Sequence, residues 1–257
     1  MFAVYAKEAN VDDPLASVVV GERPEPIVQE GWVRVKVTHA SLNRHDIFTL
    51  RGMTSQEQPI PFPMILGNDA AGVLEDGTPV VLYPVLGSDD WKGDETLDPH
   101  WHVISELVPG TMADYVAVPK RNAVPIPDGL SPLHASLLGT AWLTAYRSLF
   151  TKSRLIPGQT LLVQGASGGM STALIQMGRA AGFEVWVTTR NDEGAAIAER
   201  LGAVLPASKC GSPHAMMKGP PLPNALAPTG YCDMARPCHA ALTQSSTTSA
   251  RRHGQIA

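Results

Sequence analysis

The sequence predicts a mixed β and α/β protein: a barrel-like β domain, an incomplete α/β unit, then a disordered C-terminal tail. Three observations predict it. Short apolar stretches punctuated by Gly and Pro fill residues 1 to about 125. A β-α-β-α rhythm takes over between residues 131 and 203. Beyond residue 203 the acidic side chains stop: of the 24 Asp and Glu, only Asp233 lies there.

In the first stretch Val33-Arg34-Val35-Lys36-Val37 alternates apolar and polar, the period of a half-buried strand, after the breakers Pro24, Pro26 and Gly31. Gly72-Val73-Leu74 and Pro79-Val80-Val81-Leu82 flank Asp76-Gly77, which predicts a tight turn between two strands. Tyr115-Val116-Ala117-Val118 is another strand. Residues 84–110 are polar and read as a solvated loop. Their carboxylates stand beside His100 and His102, but no regular spacing focuses them on a metal.

In the second stretch Ser131 caps a helix with Pro132 at its first position. Thr160–Gln164 is a short apolar strand. Ser171–Ala181 has helical spacing at Ala173, Leu174, Met177 and Ala181, and Gly182 closes it. Glu184–Thr189 is a second strand. Asp192–Leu201 is a second helix, capped by Asn191 or Asp192 and closed by Gly202. The tail has seven prolines and the polar run Thr243–Ser249, a composition that predicts disorder.

Composition excludes several classes. A hydrophobic fraction of 44 % and a charged fraction of 17 % are those of a globular chain. A net charge of −4 gives no general basic field, so neither nucleic acid nor an acidic membrane is the expected partner. No apolar run has the length of a membrane helix, and the N-terminus lacks a basic head and apolar stretch. These features predict a cytoplasmic protein. Cys210, Cys232 and Cys238 all follow residue 203, so the body can build neither a disulfide framework nor a thiolate zinc site.

The strand, the turn Gly165-Ala166-Ser167-Gly168-Gly169, the helix beginning near Met170-Ser171 and the second strand make a dinucleotide-binding half-unit. Glycines let the backbone turn tightly and approach a diphosphate, and the helix start aims unpaired N–H groups at it. The dipole adds only about 0.3–1 kcal/mol per exposed charge, so hydrogen bonds must supply most of the affinity. Ser171 stands where a third glycine would allow the closest helix–strand packing, which predicts a slight loosening. At the end of the second strand an NAD site wants a carboxylate, whereas here stand Thr188, Thr189 and Arg190. A guanidinium beside hydroxyls suits a 2′-phosphate. One charge-assisted contact of about 1.5–3 kcal/mol would favour NADPH roughly ten- to a hundredfold. The alternative is a merely solvated Arg190.

With those residues placed, residues 1 to about 203 resemble the medium-chain dehydrogenase/reductases, in their zinc-independent, quinone-oxidoreductase-like branch. Ser41-Leu42-Asn43-Arg44-His45-Asp46 followed by Arg51-Gly52 resembles the family's active-site loop, and Ile65–Val73 its next motif. Pro157–Val163 leads into the glycine turn as it does there, and Leu138–Tyr146 is similar to the interdomain helix beside the nicotinamide. The resemblance implies a GroES-like β-barrel catalytic domain (1–130), an incomplete Rossmann NADP-binding domain (131–203) and a tail (204–257) unlike the family. It implies hydride transfer from NADP(H) to a quinone or conjugated carbonyl, with Asn43, Asp46 and Tyr146 near the nicotinamide and Thr140 lining the cleft. Other readings stay open: Asn43 holding a turn, Asp46 capping a short helix, Tyr146 in the core, His39 and His45 structural. Where the zinc branch has Cys and His-Glu, this chain has Asn43 and Asn68-Asp69, a poor zinc donor set.

Family members continue through a second half of the nucleotide fold, which includes the usual homodimer edge. A recognisable counterpart is lacking here, so a homodimer is doubtful. The abrupt composition change predicts a frame shift or truncation, which translation of the neighbouring reading frames tests. Two function classes follow: an NADPH-dependent reductase, or an inactive relative that binds nucleotide weakly. The small metal site suggested by Cys232, Cys238 and His239 is disfavoured.

Overall fold

A strand with one face in a core and one in water alternates in period two, and that pattern organises the first half of the chain. The computed structural model describes residues 1–205 apart from Gln56. Strand β1 (Phe2–Ala6) pairs with β2 (Val18–Glu22). Then come β3 (Trp32–Ser41), helix α1 (Arg44–Leu50), β4 (Met64–Ile65), β5 (Asp69–Val73) and β6 (Pro79–Leu82). The short pair β7 (Val85–Leu86) and β8 (His102–Val103) precedes β9 (Tyr115–Pro119) and β10 (Ala123–Pro125). Two antiparallel sheets result, ordered β2-β1-β4 and β10-β6-β5-β3-β9.

The expected alternation holds in β3. Val35 is fully buried, while Arg34 faces outward between Glu25 and Glu75. Val35, Val80, Leu82, Ile104, Val116 and Val118 make one core. Burying each such side chain contributes about 1.5–3 kcal/mol. The Asp76-Gly77 turn forms as expected, with Asp76 Oδ1 accepting from Thr78 N at 2.9 Å.

The polar stretch 84–110 is more ordered than its composition suggests. Asp98 is 2 % exposed and accepts from Ser88 N at 2.6 Å and His100 N at 2.8 Å. Asp94 is gripped by Arg147 at 2.6 Å and Lys152 at 2.9 Å. Loop carboxylates satisfied by local N–H groups and distant cations leave no periodic trace in a sequence.

Helix α2 (Pro132–Ala135) starts at the expected cap, Ser131, whose hydroxyl accepts from His134 N at 3.3 Å. A helical run then covers Leu138–Lys152, with one α turn, α3 (Leu143–Tyr146), between wider turns. The remainder is β11 (Thr160–Gln164), α4 (Gly169–Ala180), β12 (Glu184–Thr188) and α5 (Asp192–Arg200). Strands β11 and β12 are parallel, and Ile175, Phe183, Val185, Val187 and Ala198 centre their core. Helix α4 begins two residues before the expected Ser171, because the chain stays extended only as far as Gly168. Asn191, not Asp192, caps α5, accepting from Gly194 N at 2.8 Å.

Val204 bridges Trp186 in parallel, so the α/β pattern runs one residue past the expected break. The expected disordered tail otherwise lies outside the described residues, as do Cys232, Cys238 and His239. Among the described residues no helix is long and apolar enough to cross a membrane.

Candidate functional site

Two structural features meet the expected residues. The first is the glycine turn. Parallel pairing sets Gln164 opposite Thr188, and Gly165 N donates to Thr188 O at 2.9 Å. The turn after β11 and the segment Thr188-Thr189-Arg190 after β12 therefore lie at adjacent carboxyl ends of parallel strands. Ligands of α/β sheets bind at such ends. Gly165 has φ of +81°, where a side chain is strained. Ala166 is buried, while Ser167, Gly168, Gly169 and Met170 are exposed. No side chain caps α4, so its first N–H groups remain open toward the turn.

The Ser171 hydroxyl donates to Gln164 O at 3.2 Å. It ties helix to strand, where the missing glycine had suggested loosening. Thr188 and Arg190 are exposed, and Arg190 has no ion-pair partner among the described residues. Thr189 is half-buried and donates to Asn191 O at 3.2 Å. The cradle thus fits a diphosphate: open amides, a helix N-terminus and a free guanidinium one strand away.

The second feature is a junction at Asp69, which is 1 % exposed. Its Oδ2 accepts from Asn43 Nδ2 at 2.9 Å and Ser41 Oγ at 3.1 Å. Its Oδ1 accepts from Thr140 Oγ1 at 2.6 Å. The end of β3, the start of β5 and the turn before α3 are thereby joined. Gly139 permits the approach, since a Cβ there would stand 2.6 Å from Asp69 Oδ1 and 3.0 Å from Leu82 O. Burial pushes the Asp69 pKa up, against the pull of Thr140, Asn43 and Ser41.

Asn43 and Thr140 are thus brought together. Asp46 is 5 % exposed and sits in the first turn of α1, where Asn43 N donates to its Oδ2 at 2.7 Å. Gly67 N donates to its Oδ1 at 3.0 Å. Burial also raises the pKa of Asp46, against those two N–H donors. Asn43 is the N-cap of α1 and Asp46 the third helical residue, and the two form a capping box in which the Asn43 side chain also faces the Asp46 N–H. Tyr146 is 51 % exposed rather than in the core, its ring 5.0 Å from Phe150. Its hydroxyl makes no hydrogen bond among the described residues.

His45 Nε2 donates to the buried Glu106 at 2.9 Å, while His39 lies beside Thr38. Asn68 is fully buried, and neither polar atom of its amide has a hydrogen-bond partner among the described residues. Surface hollows of about 250 and 370 Å³ include none of Asn43, Asp69, Thr140 and Tyr146 in their walls. The donor set does not fit zinc. Asn43 directs its amide N–H groups at Asp69 and Ser41, and the Asp69 oxygens are filled by donors.

Asp69 is the residue that the motif reading leaves without a site role. A signal was present, because Asp69 is the one ionisable residue between Ile65 and Leu74. A carboxylate drawn into a buried strand must find donors.

Known proteins of related sequence share this fold. Residues 29–128 match the profile of the alcohol dehydrogenase GroES-like domain. The mouse quinone oxidoreductase is 29 % identical over 179 residues, which are 69 % of this chain and 50 % of that protein. An NAD-dependent alcohol dehydrogenase superposes with a TM-score of 0.72 at 30 % identity, covering 79 % of this chain and 62 % of that one. The quinone oxidoreductase of Thermus thermophilus, solved also with NADPH, gives a TM-score of 0.61 at 29 % identity. That match covers 80 % of this chain and 59 % of that one. The chain spans about half the length of its curated quinone oxidoreductase relatives. Profile, relatives and structural neighbours all support membership of the medium-chain dehydrogenase/reductase superfamily.

Proposed function

We propose that this protein is an NADPH-dependent oxidoreductase acting on a quinone or conjugated carbonyl. In this reading residues 1–130 form the catalytic domain and residues 131–203 the nucleotide-binding part. One observation carries the proposal: the Gln164–Thr188 register sets the open glycine turn beside Arg190. The structural neighbours include one described as NAD-dependent and one solved with NADPH, so the residues of this chain must decide between coenzymes. Arg190 stands where a carboxylate would favour NAD, and a free guanidinium favours a 2′-phosphate.

When bound, NADPH supplies the hydride. The N–H groups at the start of α4 hold the diphosphate, and Arg190 holds the 2′-phosphate. Thr140 and Asn43, fixed on Asp69, line the far end of the site. Asp46 keeps the start of α1, and hence Asn43, in place. Positioning of this kind converts a collision into an intramolecular encounter.

Calorimetric titration of the full chain with NADPH and NADH tests the reading. NADPH should bind at least about tenfold more tightly, and Arg190→Ala should erase the difference. Equal affinity in the parent protein overturns the coenzyme assignment, and no heat with either overturns the site. NADPH oxidation with 1,4-benzoquinone then separates a working reductase from a relative that only binds nucleotide.

A further inference from the structure

The carboxylate of Asp69 dictates where its neighbours point their hydrogens. An ionised carboxylate accepts only. Three side-chain donors converge on it: Ser41 Oγ, Asn43 Nδ2 and Thr140 Oγ1. The Asn43 amide must therefore present its nitrogen to Asp69, and its other N–H faces Ser41 Oγ at 3.4 Å. The hydroxyl of Thr140 has a single hydrogen, and it points at Asp69. Thr140, half-buried, keeps only its Oγ1 lone pairs for a ligand, whereas Asn43 turns its side-chain oxygen to the Asp46 backbone N–H in the capping box of α1.

We propose that Asp69 is a positioning residue that sets the hydrogen-bond polarity of the site, so that Thr140 accepts from a ligand hydroxyl and neither Thr140 nor Asn43 donates to a ligand carbonyl. This rests on the reductase reading and refines it. The group that polarises a substrate carbonyl is then neither Asn43 nor Thr140. Thr140 instead recognises a hydroxyl, either of a reduced substrate or of the coenzyme.

Phenol and anisole are suitable probes, since they share a ring and differ in whether the oxygen carries a hydrogen. Dissociation constants come from NMR titration of the full chain, with and without NADP⁺. The parent protein should hold phenol about three- to tenfold more tightly than anisole. A preference that persists with NADP⁺ assigns the acceptor to substrate, and one that NADP⁺ removes assigns it to a coenzyme hydroxyl. Both support the proposal. In Asp69→Asn an amide N–H faces a neighbour that had been donating, so that neighbour turns a hydrogen outward. The ratio should then fall to within about twofold.

Thr140→Val should lower the ratio and Thr140→Ser should restore it. That pair decides the matter if Asp69→Asn does not fold. A parent protein indifferent to the two probes, or an Asp69→Asn protein with the parental ratio, overturns the proposal. Absence of NADP⁺ binding would sink the reductase reading instead, while the nucleotide-free arm still tests the polarity.

Discussion

Removing the Glu106 carboxylate should unfasten the loop after α1 and flatten the acid limb of stability. Glu106 is 1 % exposed and serves four donors from three segments. His45 Nε2 and Ser55 N each lie 2.9 Å from Oε1, and Val103 N lies 3.1 Å from Oε2, which Ser55 Oγ also reaches. Glu106→Ala leaves all four without an acceptor. Ser55 is exposed and His45 keeps 18 % of its side-chain surface, so both can rehydrate in part. The cost is then about 2–4 kcal/mol, at or below the range for a broken buried pair. At about 2–4 °C per kcal/mol for a chain of this size, the Tm falls by roughly 5–15 °C.

Glu106→Gln keeps the shape and one acceptor, and should cost about half as much. Burial pushes the Glu106 pKa up, but hydrogen bonds from His45, Ser55 and Val103 outweigh it and hold the carboxyl below its usual value. The sign follows from linkage. A depressed folded-state pKa gives stability that is present above the unfolded value, about 4.3, and is lost as pH falls through the folded one. Asp46 has the opposite sign. Its raised pKa gives a contribution present below the unfolded value and lost as pH rises through the folded one. Thermal melts of parent, Glu106→Gln and Glu106→Ala between about pH 3 and 7 provide the assay. Parallel acid limbs, or a Glu106→Ala melt within about 1 °C of the parent, would refute the reasoning.

Other outcomes follow from single contacts. Gly139→Ala puts a Cβ 2.6 Å from Asp69 Oδ1, 3.0 Å from Leu82 O and 3.2 Å from Pro84 Cδ. Overpacking of about 1–3 kcal/mol should exceed the gain in helix propensity of about 1 kcal/mol, so a melt should show net destabilisation. A higher Tm would show that the Asp69 junction yields easily. Asp94 is held ionised well below the usual carboxylate range by Lys152 first, then Thr96 and Arg147. Asp94→Asn should therefore lower the Tm at low salt, and the gap should close near 1 M NaCl, where the screening length is about 3 Å. A gap independent of salt would place the effect in loop geometry rather than charge.

What the sequence alone determined is local. The alternation of Val33–Val37, the Asp76-Gly77 turn, the Ser131 cap and the β11–turn–α4 passage each depend on residues a few positions apart, and they were legible for that reason. Boundaries shifted slightly where a cap competes with its neighbour, as at Asn191 and Gly168. Tertiary structure decided which carboxylates matter. Asp69 meets Thr140 across 71 positions and Glu106 meets His45 across 61, and no periodicity encodes such meetings. Hydrophobic spacing reports which face of an element is buried. The partners that a buried charge finds are fixed only when separate elements pack together.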